Sequence, residues 1–210
     1  MKILIIGATG GTGRALVEQA LAQGHNVSVL VRNPEKIRTA NKRLTVIQGD
    51  ILDHNSVDRA VAGKDAVLST LGHKRWIIKT TILSTGTKNI ITAMEKHDVR
   101  LFICETSLGV GDSRGRLGLY YTLFVIPFIL YFYFKDKERQ ERLITESSLE
   151  WVIVRPAQLT NGPVRGLYRH GQAVGSYIFT QRISRADVAE FMLKQLIDTS
   201  HRHQAVALAY

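Results

Sequence analysis

Residues 2–13 read Lys-Ile-Leu-Ile-Ile-Gly-Ala-Thr-Gly-Gly-Thr-Gly, and this stretch decides the fold. Ile3, Leu4, Ile5 and Ile6 form an unbroken apolar run, the pattern of a strand buried on both faces. Gly7, Gly10 and Gly13 follow at three-residue spacing. The first permits a tight turn, the second lets backbone approach a pyrophosphate, and the third lets the next helix pack close to the strand. From Thr12 onward Leu16, Val17, Ala20 and Leu21 recur at helical spacing, and the free N–H groups at such a helix start attract an anion. A second strand, Asn26 to Val31, completes a βαβ unit of the expected length. The loop residues Gly7, Thr9, Gly10, Gly11, Thr12 and Gly13, with Arg14 one step beyond, are therefore candidate dinucleotide ligands.

Working outward, the end of the second strand is where such folds read the adenosine ribose. An acidic residue there would repel a 2′-phosphate. This chain has Arg32, then Lys36, and a guanidinium pairs bidentately with phosphate, which favours NADP(H) over NAD(H). Leu44 to Gln48 reads as a third strand, with Asp50 at its carboxyl end beside the expected adenine edge. Asp53 or Asn55 is placed to cap the helix around Val57 to Val61. A fourth strand, Asp65 to Thr70, ends in Leu71 and Gly72 against the cofactor path, where Lys74 or Arg75 would reach phosphates. A helix over 80–97 leads to a fifth strand, Arg100 to Glu105, then Thr106 and Ser107, where a hydroxyl would face the nicotinamide. Lys137 to Leu149 reads as a charged helix and Leu149 to Val154 as a sixth strand, followed by Arg155, Pro156 and Gln158. Ser184 caps a last helix with Asp187 at the capping-box position, and Ala205 to Ala209 reads as a closing edge strand.

The implied architecture is α/β, a three-layer Rossmann-type doubly wound, mostly parallel sheet of order 3-2-1-4-5-6 with an added edge strand. The 210 residues make one domain, with a substrate-side lobe drawn from about 108–134 and 158–183. The net charge of +10 favours anionic ligands. The cations are scattered without interleaved aromatics, which argues against nucleic acid as a partner. A lone cysteine, Cys104, excludes an internal disulfide and a multi-cysteine metal site and reads as an inert core thiol. The chain starts on a core strand, so the default expectation is a cytoplasmic protein, and a monomer is favoured.

The run from Leu119 to Phe134 is almost without polarity and is bracketed by Arg114, Arg116, Lys135 and Lys137. It is shorter than the roughly 20 apolar residues of a spanning helix and carries Pro127 at its middle. It reads as a core helix or a cap over the active site rather than a transmembrane span, with a weak peripheral membrane contact as the other use of its aromatics and cations. Two Tyr-x-x-x-Lys frames arise where it meets the basic segment, Tyr131/Lys135 and Tyr133/Lys137. Such a pair moves protons in carbonyl reduction. Lys137 also suits a cofactor-ribose contact.

With Gly-Ala-Thr-Gly-Gly-Thr-Gly, Val-Leu-Val-Arg, Gly-Asp-Ile-Leu, Val-Ala-Gly-Lys-Asp-Ala-Val and Ala-Met-Glu-Lys-His in place, the chain resembles the atypical short-chain dehydrogenase/reductases with an NmrA-like fold, in particular the NADPH-dependent flavin and biliverdin reductases. The similarity runs from Lys2 to about Thr106 and resumes from Glu141. It implies that Arg32 and Lys36 hold the 2′-phosphate and that Asp50 and Ile51 flank the adenine. Leu71 and Gly72 then line the cofactor, and Ser107 faces the nicotinamide. Where those reductases carry a histidine beside the substrate this chain has Gln158, and an insertion between Ser107 and Arg155 alters the substrate roof. The function so implied is hydride transfer from NADPH to a planar acceptor, a flavin, bilin (tetrapyrrole) or quinone. Ser107 and Lys137 are then the catalytic candidates. The competing readings are a non-catalytic NADP(H)-sensing regulator and a carbonyl or sugar-nucleotide reductase using a Tyr-Lys pair.

Overall fold

The computed structural model describes residues 1–73 and 77–210; the expectation for Lys74 and Arg75 lies outside them. The strands are β1 (Lys2–Ile6), β2 (Asn26–Val31), β3 (Leu44–Gln48), β4 (Ala66–Ser69), β5 (Leu101–Glu105), β6 (Glu150–Pro156), β7 (Gln158–Thr160), β8 (Arg169–Gly171), β9 (Arg182–Ser184) and β10 (Gln204–Ala209). The helices are α1 (Gly11–Ala22), α2 (His54–Val61), α3 (Ile82–Lys96), α4 (Ile126–Phe128), α5 (Tyr131–Thr145) and α6 (Arg185–Lys194). The main sheet runs β3-β2-β1-β4-β5-β6-β10-β8, a doubly wound order in which every pairing is parallel except β10 with β8.

The apolar run of β1 divides as a doubly covered strand must. Ile3 and Ile5 enter the core that includes α1 and α6, and Leu4 and Ile6 enter the one shared with α2 and α3. All four are essentially inaccessible, and each contributes about 1.5–3 kcal/mol by leaving water. Asp53 is the cap of α2, accepting from the N–H groups of Asn55 and Ser56. Ser184 caps α6 as expected. Asp187, however, accepts from the N–H groups of Arg165 and Gly166 and from the Tyr210 hydroxyl, while the Ser184 N–H donates to the Tyr210 hydroxyl. Asp187 thus anchors the glycine-rich lobe instead of closing a capping box.

Three expectations are corrected. Residues 204–209 do not form the edge: the short antiparallel β8 covers them, because the lobe that follows β7 folds back along the sheet. The charged helix begins at Tyr131, six positions before Lys137, since Pro127 and the turn at Ile129 and Leu130 break the apolar run. That run is therefore not a single core helix, and of its residues Tyr133 alone lines the cleft. A π-helical turn (Tyr121–Val125) continues into α4, with Tyr121, Ile126 and Leu130 packed inward on a small third core and much of the remaining surface exposed. No helix among the described residues is long and apolar enough to cross a membrane.

Candidate functional site: a cleft across the carboxyl ends of the strands

The carboxyl ends of β1 to β5 open onto a single cleft of about 1710 Å³. A drug-sized ligand occupies a pocket of about 300–1,000 Å³, so this space admits an extended dinucleotide and a second molecule.

At its centre the glycine loop is held close by steric necessity. Gly7 has φ +82°, and a Cβ there would lie 2.4 Å from the Thr70 carbonyl oxygen. A Cβ on Gly13 would lie 2.2 Å from the Gly7 carbonyl oxygen. These are backbone obstacles that cannot swing aside, so both positions require glycine. The Thr12 hydroxyl donates to Glu105 Oε1 at 3.1 Å, fastening the start of α1 to the end of β5. Arg14 donates from Nε to the Thr9 carbonyl at 3.1 Å. The first N–H groups of α1 lack partners within the helix and face the cleft, which fits a pyrophosphate.

Toward the β2 end, Arg32 and Lys36 are exposed on the cleft wall and are joined there by Arg38. Glu35 shares the rim, so the segment 32–38 brings three cations and one anion to that wall. Asp50, Ile51, Leu71 and Gly72 line the adjoining wall. Asn89 fixes the Ile51 carbonyl through Nδ2 at 2.9 Å.

At the far end the cleft is closed by β5 and α5. Glu105, Thr106, Tyr133 and Lys137 all reach it. The Lys137 ammonium is buried, donates to the Thr106 carbonyl at 2.9 Å and lies 5.2 Å from the Tyr133 ring centroid. The Tyr133 hydroxyl hangs 3.5 Å from where a Cβ on Gly72 would stand. Between the two frames the structure is decisive about position. Tyr131 is exposed and Lys135 pairs with Glu138 on the surface at 3.2 Å, whereas Tyr133 and Lys137 face the cleft.

The polar inner face of α5 sets this phase. Its buried residues are Phe134, Asp136, Lys137, Gln140, Glu141 and Ile144, one stripe at helical spacing. Asp136 accepts from the N–H of Leu83 at 2.9 Å and that of Ser84 at 3.3 Å, and takes the Ser84 hydroxyl as well. It therefore caps α3, whose own preceding residue Thr81 supplies no side-chain cap. Gln140 donates to the Thr87 hydroxyl at 3.0 Å. Glu141 accepts from the Thr106 hydroxyl at 2.6 Å and forms a two-point ion pair with Arg155 at 3.0 and 2.7 Å.

Burial pushes the Glu105 carboxyl above the usual carboxylate range, against the opposing pull of the Lys137 charge. Burial likewise pushes the Cys104 thiol up to about 12, which keeps it protonated and unreactive.

Ser107, Pro156 and Gln158 lie off the cleft wall. The Ser107 hydroxyl donates to the Leu108 carbonyl at 3.1 Å, and Thr106 occupies the wall beside it. Pro156 is a buried residue of β6. Gln158 is tied between the Tyr121 hydroxyl and Arg182 Nε, each at 3.1 Å, with its neighbour Leu159 facing the cleft. Sequence reasoning missed Arg185, whose side chain arches across Gly11 so closely that a Cβ there would lie 2.5 Å from Cδ. Asn161 holds the guanidinium at 2.9 Å. Only its place at the N-terminus of α6, beside the Ser184 cap, hinted that it faces the strand ends.

A glycine loop at a helix start, a cationic wall at the second strand and a continuous cleft over the strand ends define a dinucleotide-binding α/β protein. The chain belongs to the NAD(P)H-binding family, whose model matches residues 7–199. It is 28% identical over 99% of its length to an uncharacterised chloroplastic protein of Arabidopsis thaliana, covering 76% of that protein. An isoflavone reductase homologue of Solanum tuberosum is 34% identical over 48% of this chain, and the match spans only 33% of that relative. Among solved structures, ChuY, an anaerobillin reductase from Escherichia coli O157:H7, superposes with a TM-score of 0.83 at 24% identity, covering 100% of this chain and 97% of that one. A wide-type short-chain dehydrogenase/reductase from Veillonella parvula in complex with NADP gives 0.81 at 18% identity, covering 100% and 94%. The atypical short-chain dehydrogenase/reductase resemblance is borne out by these matches, and the strand order through β6 by the sheet itself.

Proposed function

We propose that the protein is an NADPH-dependent reductase that passes a hydride to a planar conjugated acceptor of the flavin, bilin or quinone type. The observation that carries this reading is the continuity of the cleft from the Arg32, Lys36 and Arg38 wall to Tyr133 and Lys137. One end suits a 2′-phosphate, and the other brings a phenol and an ammonium to the strand ends where a nicotinamide would sit. Bound NADPH would supply the hydride. The protein's own part is to hold, orient and protonate. Arg32 and Lys36 would pair with the 2′-phosphate, and the loop from Gly7 to Gly13 would take the pyrophosphate. Lys137 would hold a ribose hydroxyl, and Leu71 and Gly72 would pass beside the cofactor. Tyr133 takes the place of the absent histidine as the group within reach to donate a proton to the reduced acceptor. Ile82 and Leu159 present apolar surface on the same cleft, which suits a flat ring.

The shared facing of Tyr133 and Lys137 also favours a carbonyl reductase as the second reading, since the same pair would protonate an alkoxide. The test is NADPH oxidation with FMN, FAD, quinones, biliverdin and simple carbonyls, run beside calorimetric NADPH binding. Turnover with a planar acceptor, cut about 10²-fold by Tyr133→Phe with NADPH affinity retained, is the expected result. Turnover with carbonyls alone selects the second reading. Tight binding with no turnover of any acceptor refutes both and leaves a cofactor sensor.

A further inference from the structure

Residues 117–134 contain no charged side chain, yet their outward face meets solvent. Tyr120, Leu123, Phe124 and Phe128 recur at three- and four-residue spacing and are 64, 51, 58 and 77% exposed. Their inward neighbours already fill the third core, so this helical segment is apolar all round, a pattern that calls for burial on both sides. A second segment extends the patch. The Leu119 N–H donates to the Ile178 carbonyl at 3.2 Å, and Gly118 lies against the Phe179 backbone. Ile178 and Phe179 are 67 and 73% exposed.

The surroundings indicate the occupant. Arg114, Arg116, Lys135 and Arg139 flank the patch in sequence; of the two acids among them Glu138 pairs with Arg114 and Lys135, and Asp136 is buried against the start of α3. The chain carries +10 overall, so pressing two copies together through a cationic rim is opposed electrostatically. An anionic bilayer supplies both an apolar interior and a complementary charge, and tyrosine and phenylalanine suit the headgroup boundary.

We infer that the face formed by residues 119–132 and 177–179 is an interfacial contact for anionic lipid membranes, into which its aromatic side chains dip while the flanking cations meet the headgroups. The contact does not depend on which acceptor the cleft takes.

The experiment is sedimentation of the full chain with phosphatidylcholine vesicles containing about 30% phosphatidylserine, beside pure phosphatidylcholine vesicles, at about 0.15 M salt. Sedimentation equilibrium without lipid runs in parallel. Partition onto the anionic vesicles at least about tenfold stronger than onto neutral ones, weakened by added salt, is expected. The double variant Phe124→Ser/Phe128→Ser, checked for folding by its NADPH affinity, is expected to lose that partition about tenfold or more. Absence of wild-type binding to the anionic vesicles overturns the inference. So does equal binding by the variant. A wild-type dimer in the lipid-free arm that the same double substitution dissociates overturns it in favour of a second copy.

Discussion

Removing the Asp136 carboxylate tests whether α5 is positioned by the buried cap it lends to α3. In Asp136→Ala, the N–H groups of Leu83 and Ser84 lose their acceptor, at 2.9 and 3.3 Å, and the Ser84 hydroxyl loses one of its two partners. Losing an N-terminal cap costs about 0.5–2 kcal/mol. Stranding a buried polar group costs about 1–3 kcal/mol more. Part of the latter is recovered because Ser84 Oγ keeps the Thr81 carbonyl at 3.3 Å. The sum is about 2–4 kcal/mol, which in a chain of this size lowers Tm by roughly 4–16 °C. Urea unfolding followed by circular dichroism measures the first figure. Because Asp136 fixes α5, which carries both Tyr133 and Lys137 into the cleft, turnover and NADPH affinity are both expected to fall. Asp136→Asn, which keeps one acceptor oxygen, is expected to fall between the two. A loss below about 0.5 kcal/mol for the alanine variant would refute the cap.

Arg32→Glu places an acid where a 2′-phosphate is expected and should weaken NADPH binding at least tenfold while sparing NADH, as read by calorimetry; unchanged preference between the two refutes Arg32 as the phosphate reader. Glu105 gives a pH signature. With its folded pKa raised by burial, the folded state keeps a proton that the unfolded chain releases, so stability falls as pH rises from the usual carboxylate range through the raised value. Glu105→Gln keeps an acceptor for Thr12 and removes that slope, so its stability relative to wild type should grow with pH in denaturation curves from acid to neutral. Parallel curves would sink the assignment. Gly13→Ala should abolish NADPH binding, since its Cβ would meet the Gly7 carbonyl oxygen at 2.2 Å; calorimetric heat equal to wild type would refute the tight-loop account.

The first βαβ unit was legible from sequence because every local signal in it agrees: an apolar run, glycines at fixed steps and helical periodicity. Ser184 was legible as a cap, and Asp53 as one of two candidates beside Asn55, for the same reason, since a cap acts on residues two or three positions away. The far end of the cleft was not. An aromatic run gives no polar marker of helical phase, so Tyr131 and Tyr133 were equivalent until α5 was placed by Asp136, Gln140 and Glu141. Gln140 and Glu141 fell in a segment, 137–149, that reads only as a charged helix, with Asp136 just before it, and the partners of all three at Ser84, Thr87, Thr106 and Arg155 come from other elements. β8 escaped notice because Arg-His-Gly carries no strand pattern and pairs only through β10.

The arch of Arg185 over Gly11 joins positions separated by most of the polypeptide. Before that contact forms, the glycine loop is uncovered on the side where Arg185 lies. The nucleotide grip is thus finished only when α6 packs against α1, so cofactor capture depends on a contact between two sequence-distant elements.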